Sequence, residues 1–210
     1  MSGDLEINMS IKQFLIILLS VFALNAYAEV EQEQAIHEEL RNMLDGIEDS
    51  INTENYSALA PYFHKKLRVT TVNQNTINTH DGIEPYFREW FGEGGYLQSL
   101  KISFKADAPT EFYNDYTMGI VRGGAIEQYK LTDGRDLDLD TRWTATVIKD
   151  TDSKWRILAL HLGTNFYDNG IYHEMRRHLI KLGIVGTVAG AVVGLLLGLL
   201  LFKRKRSLTA

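Results

Sequence analysis

The C-terminal part of the chain holds a stretch without charge, Leu182 to Phe202, which is 21 residues long. This length is enough for one helix to cross a bilayer. Glycines recur inside the stretch at intervals of four residues: Gly186, Gly190, Gly194 and Gly198. Such spacing forms a groove on one helix face where another backbone can approach closely. The stretch therefore predicts a single-pass membrane helix that associates with itself, with packing against a different membrane protein as the alternative.

The N-terminal part of the chain has the pattern of an export signal. Phe14 to Leu24 is an apolar core of 11 residues, and the small-x-small sequence Ala26 to Ala28 follows it, which is typical of a signal-peptidase site. We expect cleavage after Ala28, with an uncleaved N-terminal anchor as the alternative. The residues before Met9 are acidic rather than basic, so translation from either Met1 or Met9 stays open.

These two ends predict the domain organisation and the location. We expect five segments: a signal peptide at 1–28, an exported domain at 29–172, a juxtamembrane segment at 173–181, a membrane helix at 182–202 and a basic tail at 203–210. The leader places the domain in the periplasm of a bacterium, anchored in the inner membrane with its C-terminus in the cytoplasm. The lipid bilayer is the first predicted partner.

Charge is divided unevenly along the chain. Residues 29–174 carry 25 acidic and 14 basic side chains, a net charge of −11, whereas residues 175–210 carry seven basic side chains and no acidic one. A uniformly acidic domain excludes nucleic acid as a partner, because phosphates require a basic surface. The chain has no cysteine, which excludes thiol catalysis and disulfides.

Hydrophobic periodicity in the exported part predicts helices first and strands afterwards, an α+β plan. An amphipathic stripe at spacings of three and four residues predicts a helix over 31–52, formed by Ile36, Leu40, Leu44, Ile47 and Ile51. Shorter helices are expected at 56–63 and 83–91. Strands are expected at 67–72, 97–104, 111–121, 125–131, 136–149 and 155–164. We expect Gly123 and Gly124 to separate two of these strands by a bulge or bend.

Several short segments are characteristic when they occur in this order of elements. They are Asn55 to Leu59, Pro61 to Phe63, the helix start at Asp81 to Glu84, and the closing strands at Arg142 to Ala145 and Lys154 to His161. With them, residues 34–169 resemble the nuclear transport factor 2-like superfamily, especially its SnoaL-like and ketosteroid-isomerase-like branch. The resemblance implies a conical half-barrel: a curved antiparallel sheet wrapped around about three N-terminal helices, enclosing a pocket. It also implies dimerisation through the exposed sheet face.

The positions where this branch carries its catalytic acids hold no carboxylate in this chain. The base position of ketosteroid isomerases falls near Thr71, and the last strand, Leu158 to Thr164, lacks the acid of SnoaL-like cyclases. A hydroxyl is not a base near neutral pH without activation, which argues against steroid isomerisation and favours a binding role. His161 is the remaining acid–base candidate. Its alternative reading is a histidine packed in the core.

Five further side chains are candidates for ligand binding. Tyr86 and Trp90 lie at helical spacing, and they either pack in the core or line the rim of a hydrophobic pocket. Arg142 and Trp143 point to opposite faces of their strand, so one of the two should face the pocket. Asn165 follows the last strand, and it either faces the pocket or forms a turn.

Three aspartates at two-residue spacing, Asp136, Asp138 and Asp140, invite a metal reading. A calcium loop that began at Asp136 would need glycine and glutamate where Thr141 and Val147 stand. We therefore expect a solvated strand face and predict neither a metal nor a cofactor.

Three functions stay open at this stage. The favoured one is a membrane-anchored exported module that binds a hydrophobic small molecule, or assembles as a homo-oligomer through its sheet face and its membrane helix. The second is an isomerase, dehydratase or cyclase acting on a hydrophobic small molecule, with His161 as general base. The third is an accessory subunit of an envelope membrane complex.

Overall fold

The computed structural model describes residues 11–207, so the alternative translation starts at Met1 and Met9 lie outside the described residues. Three α-helices are present in this part of the chain: α1 Ile11–Asn52, α2 Ile83–Phe91 and α3 Gly170–Ser207. Two short 3₁₀ helices span Tyr56–Tyr62 and His80–Gly82. The strands are β1 Phe63–Thr70, β2 Thr76–Ile77, β3 Leu97–Ala106, β4 Glu111–Tyr113, β5 Met118–Leu131, β6 Asp136–Lys149 and β7 Trp155–Thr164.

All seven strands form one curved sheet in the order β2-β1-β7-β6-β5-β3, with β4 paired to β5. Its pairings are antiparallel except that of β1 with β7, which is parallel. The sheet is therefore mixed rather than wholly antiparallel. Parallel neighbours need a long crossover, and here that crossover includes α2 and all the intervening strands. The expected α+β fold is confirmed.

The concave face of the sheet packs against the helices. Ile36, Leu40, Ile47 and Ile51 are buried along one face of α1, and Leu44 of the same predicted stripe packs partly buried beside them. Leu67 on β1 is completely buried. The amphipathic pattern thus identified the core face of α1. The helix also continues unbroken through Ala28, and the leader with its cleavage site stays a prediction.

The expected interruption at Gly123 and Gly124 is wrong, because β5 runs through both residues. The chain reverses instead between β4 and β5, where Asn114 and Asp115 adopt positive φ. Glycine serves close packing at position 123. A Cβ there would overlap the carbonyl oxygen of Lys105 and the indole of Trp143.

The first turn of α3 is docked against β6. A Cβ at Gly170 would overlap the carbonyl oxygen of Asp138, so the helix backbone lies directly on the strand. Glu174 forms an ion pair with Arg135 at 3.7 Å. Residues 175–199 of the helix are exposed, and the portion Gly170–Leu199 is long and apolar enough to cross a membrane. One continuous helix therefore joins the domain to the apolar segment.

Replacing Gly170 by alanine should loosen this docking. The added Cβ must displace the helix from β6, and overpacking of this kind costs about 1–3 kcal/mol. We expect amide hydrogen exchange over residues 170–178 of the full chain in micelles to become about tenfold faster. The control is Gly163→Ala, because a Cβ at Gly163 meets nothing within 4 Å. Equal exchange in the two variants would contradict the docking.

Candidate functional site: an apolar cavity with a buried carboxyl group

A cavity of about 820 Å³ lies between α2, the sheet and the first turns of α3. This volume is within the range of pockets that bind small molecules. The walls are mostly aliphatic and aromatic. From α2 they include Tyr86, Phe87, Trp90 and Phe91, and from the strands Leu97, Leu100, Tyr129, Leu131, Leu137 and Leu139. A ligand that fills this space must be largely apolar.

The rim of the cavity is polar and is held by one arginine. Arg135 in the β5–β6 turn pairs with Asp133 at 2.8 Å and with Glu174 of α3 at 3.7 Å. Its guanidinium also donates to the hydroxyl of Tyr96 at 3.1 Å. Asp136 completes the acidic part of the rim. These contacts tie α3 to the sheet at the cavity mouth.

A carboxyl group lies behind the apolar walls. Glu127 on β5 is 2% exposed, and it lines a smaller inner cavity of about 100 Å³. Its Oε1 accepts a hydrogen bond from the Thr141 hydroxyl at 2.8 Å, and its Oε2 accepts one from the Tyr129 hydroxyl. The inner and outer cavities share lining residues, namely Val72, Tyr86, Phe87, Leu100 and Tyr129. The carboxyl group is therefore connected to the larger cavity through its hydrogen-bond partner Tyr129, which lines both.

The environment of Glu127 favours its neutral form. Burial raises the pKa of its carboxyl group, and the hydrogen bonds from Tyr129 and Thr141 oppose that rise in part. Burial, together with the nearby Glu127 charge, also raises the pKa of Tyr129. A carboxyl group with a raised pKa is a candidate acid–base group, because its neutral and ionised forms are closer in free energy near neutral pH than those of an ordinary glutamate.

A second polar group borders the same space. The hydroxyl of Thr71 donates to the side-chain oxygen of Asn73 and to the carbonyl of Asn75 at 3.1 Å. The Tyr86 hydroxyl lies 3.4 Å from the same Asn73 oxygen. Burial raises the pKa of Tyr86, and its interaction with Thr71 lowers it in part. Thr71, at the position predicted for a base, is therefore a hydrogen-bonding residue of the inner wall.

The structure places the predicted ligand-binding residues in three different environments. Tyr86 and Trp90 line the cavity. Trp143 faces inward, but it is buried in the core, where its indole donates to the Gly124 carbonyl at 2.9 Å. Arg142 points to the outer face and pairs with Asp107. The alternation of Arg142 and Trp143 holds, and neither of them lines the cavity.

His161 and Asn165 also lie away from the cavity. The His161 side chain is exposed on the outer face of β7, whereas its neighbours Leu160 and Leu162 line the inner cavity. Asn165 is exposed, and its side-chain oxygen accepts a hydrogen bond from the Tyr167 amide at 3.0 Å. Asn165 is therefore a turn residue rather than a residue that faces the pocket. A general base for a ligand in the cavity is therefore better sought in Glu127 than in His161.

The regularly spaced glycines of α3 and the three aspartates of β6, which the sequence also singled out, are exposed. Gly186, Gly190, Gly194 and Gly198 are exposed on α3, and a Cβ at any of them meets nothing within 4 Å. Asp136, Asp138 and Asp140 are exposed on β6. Within residues 11–207, no group of three or more histidine, aspartate or glutamate side chains is arranged to hold a metal ion.

Sequence reasoning missed Glu127. The expected break at Gly123 and Gly124 concealed the continuous alternation of β5, in which Ala125, Glu127 and Leu131 are buried and Ile126 is exposed. A glutamate between inward-facing apolar residues at two-residue spacing is the signal that could have found it.

The curved sheet with helices on its concave face is also found in solved structures of other proteins. The chain has the fold of the nuclear transport factor 2-like proteins, a half-barrel of curved sheet and helices. Among solved structures it is similar to a Novosphingobium aromaticivorans protein provisionally assigned as a scytalone dehydratase, with 15% identity, 65% of this chain and 89% of that chain covered, and a TM-score of 0.56.

Two other solved structures extend the comparison. A type 2 hexachlorocyclohexane dehydrochlorinase is 11% identical, with 65% of this chain and 90% of that chain covered and a TM-score of 0.55. A nuclear transport factor 2-like superfamily protein from Salmonella enterica is 14% identical, with 62% and 92% covered and a TM-score of 0.50. No family model and no curated protein matches the sequence. At these identities the likeness establishes the fold alone.

The raised pKa of Glu127 has a consequence for stability. The folded state holds the Glu127 proton more tightly than the unfolded chain does, so this stabilisation is complete below the unfolded pKa and is lost as the pH rises through the folded pKa. We expect the thermal midpoint of the wild-type domain to fall relative to that of Glu127→Gln as the pH is raised from about 5 to about 8. The measurement is near-ultraviolet circular dichroism of the full chain in micelles.

The matched control for this experiment is Glu93→Gln, because Glu93 is exposed. This control shows the pH dependence that follows from removing one exposed carboxyl group. The same pH dependence for Glu127→Gln would contradict the assignment of a raised pKa to the buried carboxyl group.

Proposed function

We propose that this chain is a membrane-anchored binding module for a hydrophobic small molecule. The observation that carries the proposal is the cavity of about 820 Å³, with aromatic walls from α2 and leucine walls from three strands. An apolar ligand gains free energy in proportion to the area that it removes from water, and a preformed cavity reduces the cost of binding. The buried Glu127 and Tyr129 add one polar point of recognition beside it.

The anchor and the orientation are part of this proposal. α3 is long and apolar enough to span a bilayer, and four basic residues follow the charge-free stretch. With a cleaved leader, the domain faces the periplasm of a bacterium and the basic tail remains in the cytoplasm. Binding then takes place at the inner membrane.

Two surfaces support assembly as a homodimer. The outer sheet face exposes apolar side chains, among them Ile126 at 52%. The glycines at positions 186, 190, 194 and 198 leave a groove on α3 that nothing in the described chain fills. Small residues at this spacing let two membrane helices approach closely. We therefore propose a dimer that uses the sheet face and the membrane helix.

Native mass spectrometry of the full chain released from lipid nanodiscs tests the proposal. We expect a dimer that carries a defined additional mass. Leu139→Phe should lower the bound fraction about tenfold, because the larger side chain occupies ligand space at a cost of 1–3 kcal/mol. The matched control is Val30→Phe, which enlarges an exposed side chain of α1 outside the cavity and outside both proposed association surfaces. A protein without any bound mass would refute the binding role, and a monomer would refute the assembly.

A second candidate function is an enzyme that transfers protons within the same cavity. The observation in its favour is the carboxyl group of Glu127, which is buried, raised in pKa and hydrogen-bonded to the Tyr129 hydroxyl. Such a group can remove a proton from one carbon of a ligand and return it elsewhere, as isomerisation requires, or protonate a leaving hydroxyl, as dehydration requires. In this version Glu127 takes the role that the sequence suggested for His161.

The two candidates differ in what Glu127→Gln binds. An enzyme without its acid–base group should retain unreacted substrate, so liquid chromatography and mass spectrometry of extracted ligand should give a different molecule for the variant. The difference is an isomer with changed retention, or a mass changed by one water. Glu93→Gln is the control. The same molecule from wild type and from both variants would refute the enzymatic function and leave the binding function intact.

A further inference from the structure

The helix that forms one side of the cavity mouth is the same helix that carries the apolar segment. Ile171, Glu174, Met175 and His178 of α3 line the cavity, and the charge-free stretch begins four residues later at Leu182. At 1.5 Å per residue this is about 6 Å along the helix axis, comparable to the thickness of a lipid headgroup layer. The cavity mouth therefore lies next to the membrane surface in the proposed anchored state.

An apolar path connects the cavity with the apolar segment. Ile171, Met175, Leu179 and Leu182 follow one another at spacings of four, four and three residues, which places them on one face of α3. All four are exposed, by 57%, 54%, 61% and 60% respectively. The first two line the cavity and the last begins the charge-free stretch. Glu174, which is paired with Arg135, and His178 border this face at the cavity. Beyond His178 the face continues through Leu179 and Leu182.

The charges near the path limit the kind of polar group that can remain at the mouth. The lining residues Asp133, Asp136 and Glu174 contribute three carboxylates. Arg135 is paired with Asp133 and Glu174, and Arg177 is also paired with Glu174, so both of these arginines already have carboxylate partners. A further anionic group there would be repelled by the carboxylates. The rim therefore favours a neutral or zwitterionic group, while the interior takes hydrocarbon.

We propose that the cavity receives its ligand from the bilayer: a membrane-resident amphiphile whose hydrocarbon chain passes along the Ile171–Leu182 face of α3 into the cavity, with a neutral or zwitterionic polar group at the rim. This inference rests on the proposed binding function and names the class and source of the ligand. A water-soluble apolar molecule is the alternative that the experiment separates.

Trp90 is a built-in reporter for this proposal. It lines the cavity, whereas Trp143 and Trp155 are each 4% exposed and pack in the core. The full chain is reconstituted in phosphatidylcholine vesicles, with acyl chains that are either plain or brominated near the chain midpoint. Bromine quenches tryptophan at contact. We expect loss of most of the Trp90 emission in the brominated vesicles, with the Trp90 component defined by subtracting the spectrum of Trp90→Phe.

Two pairs of variants identify the route and the position of the chain. Leu139→Phe fills the cavity and should restore the Trp90 emission, and Leu131→Phe gives a second cavity-filling test if the first variant unfolds. Leu179→Asn interrupts the apolar path and should reduce quenching. Its matched control, Ile180→Asn, changes a neighbouring exposed residue on the opposite helix face and should leave quenching unchanged. Circular dichroism verifies folding in each case.

Each outcome bears on the proposal. Quenching that persists in both folded cavity-filling variants would mean that Trp90 touches the bilayer surface, which overturns the inference. Absence of quenching in the wild type overturns it as well. If the wild type is not quenched but native mass spectrometry still finds a bound apolar molecule other than a lipid, the binding function stands and its membrane source fails. Absence of both signals refutes the binding function itself.

Discussion

The contact between Gly170 and the backbone of β6 determines how the rest of this molecule is arranged. Because no side chain separates them, α3 starts directly on the sheet, beside the turn that carries Arg135. The ion pair between Arg135 and Glu174 then holds the next turn of the helix over the cavity. A helix that began farther from β6 would leave the cavity open on that side. The shape of the cavity and the position of the apolar segment thus depend on one close approach between two backbones.

Within this frame, the unusual feature of the interior is its carboxyl group. An acid buried among leucine and aromatic side chains reduces stability when it ionises, and hydrogen bonds from Thr141 and Tyr129 reduce that cost without abolishing it. A purely apolar cavity would hold hydrocarbon equally well. The presence of Glu127 adds a group that can distinguish a ligand with a suitably placed oxygen from one without it.

Much of the fold could be predicted from the sequence, and less of the site. The helix at 83–91 and the strands at 136–149 and 155–164 match the structure because caps, turns and alternation agree at those places. The expected interruption at Gly123 is wrong because a pair of glycines is also typical of a turn. The residue that requires glycine at this position is Trp143 on β6, whose indole a Cβ would overlap, and a local sequence pattern does not show that contact. The sequence offers His161 as the acid–base candidate, whereas alternation along β7 places it on the face opposite Leu160 and Leu162, which line the inner cavity. A buried carboxyl group depends on long-range packing, which short sequence patterns do not report.

The glycine spacing of α3 has a geometric consequence for any dimer that uses it. Helices that pack through small residues four apart cross in the right-handed sense at about 40°. From a crossing near Val192, two such helices separate by roughly 20 Å at the height of Gly170, since each residue adds 1.5 Å of length. A domain of this size has a radius of gyration of about 15 Å. The width of one domain is therefore larger than the distance between the two helix axes at Gly170. A dimer formed through the membrane helices would therefore keep the two domains within reach of each other, so that both association surfaces could act in the same dimer.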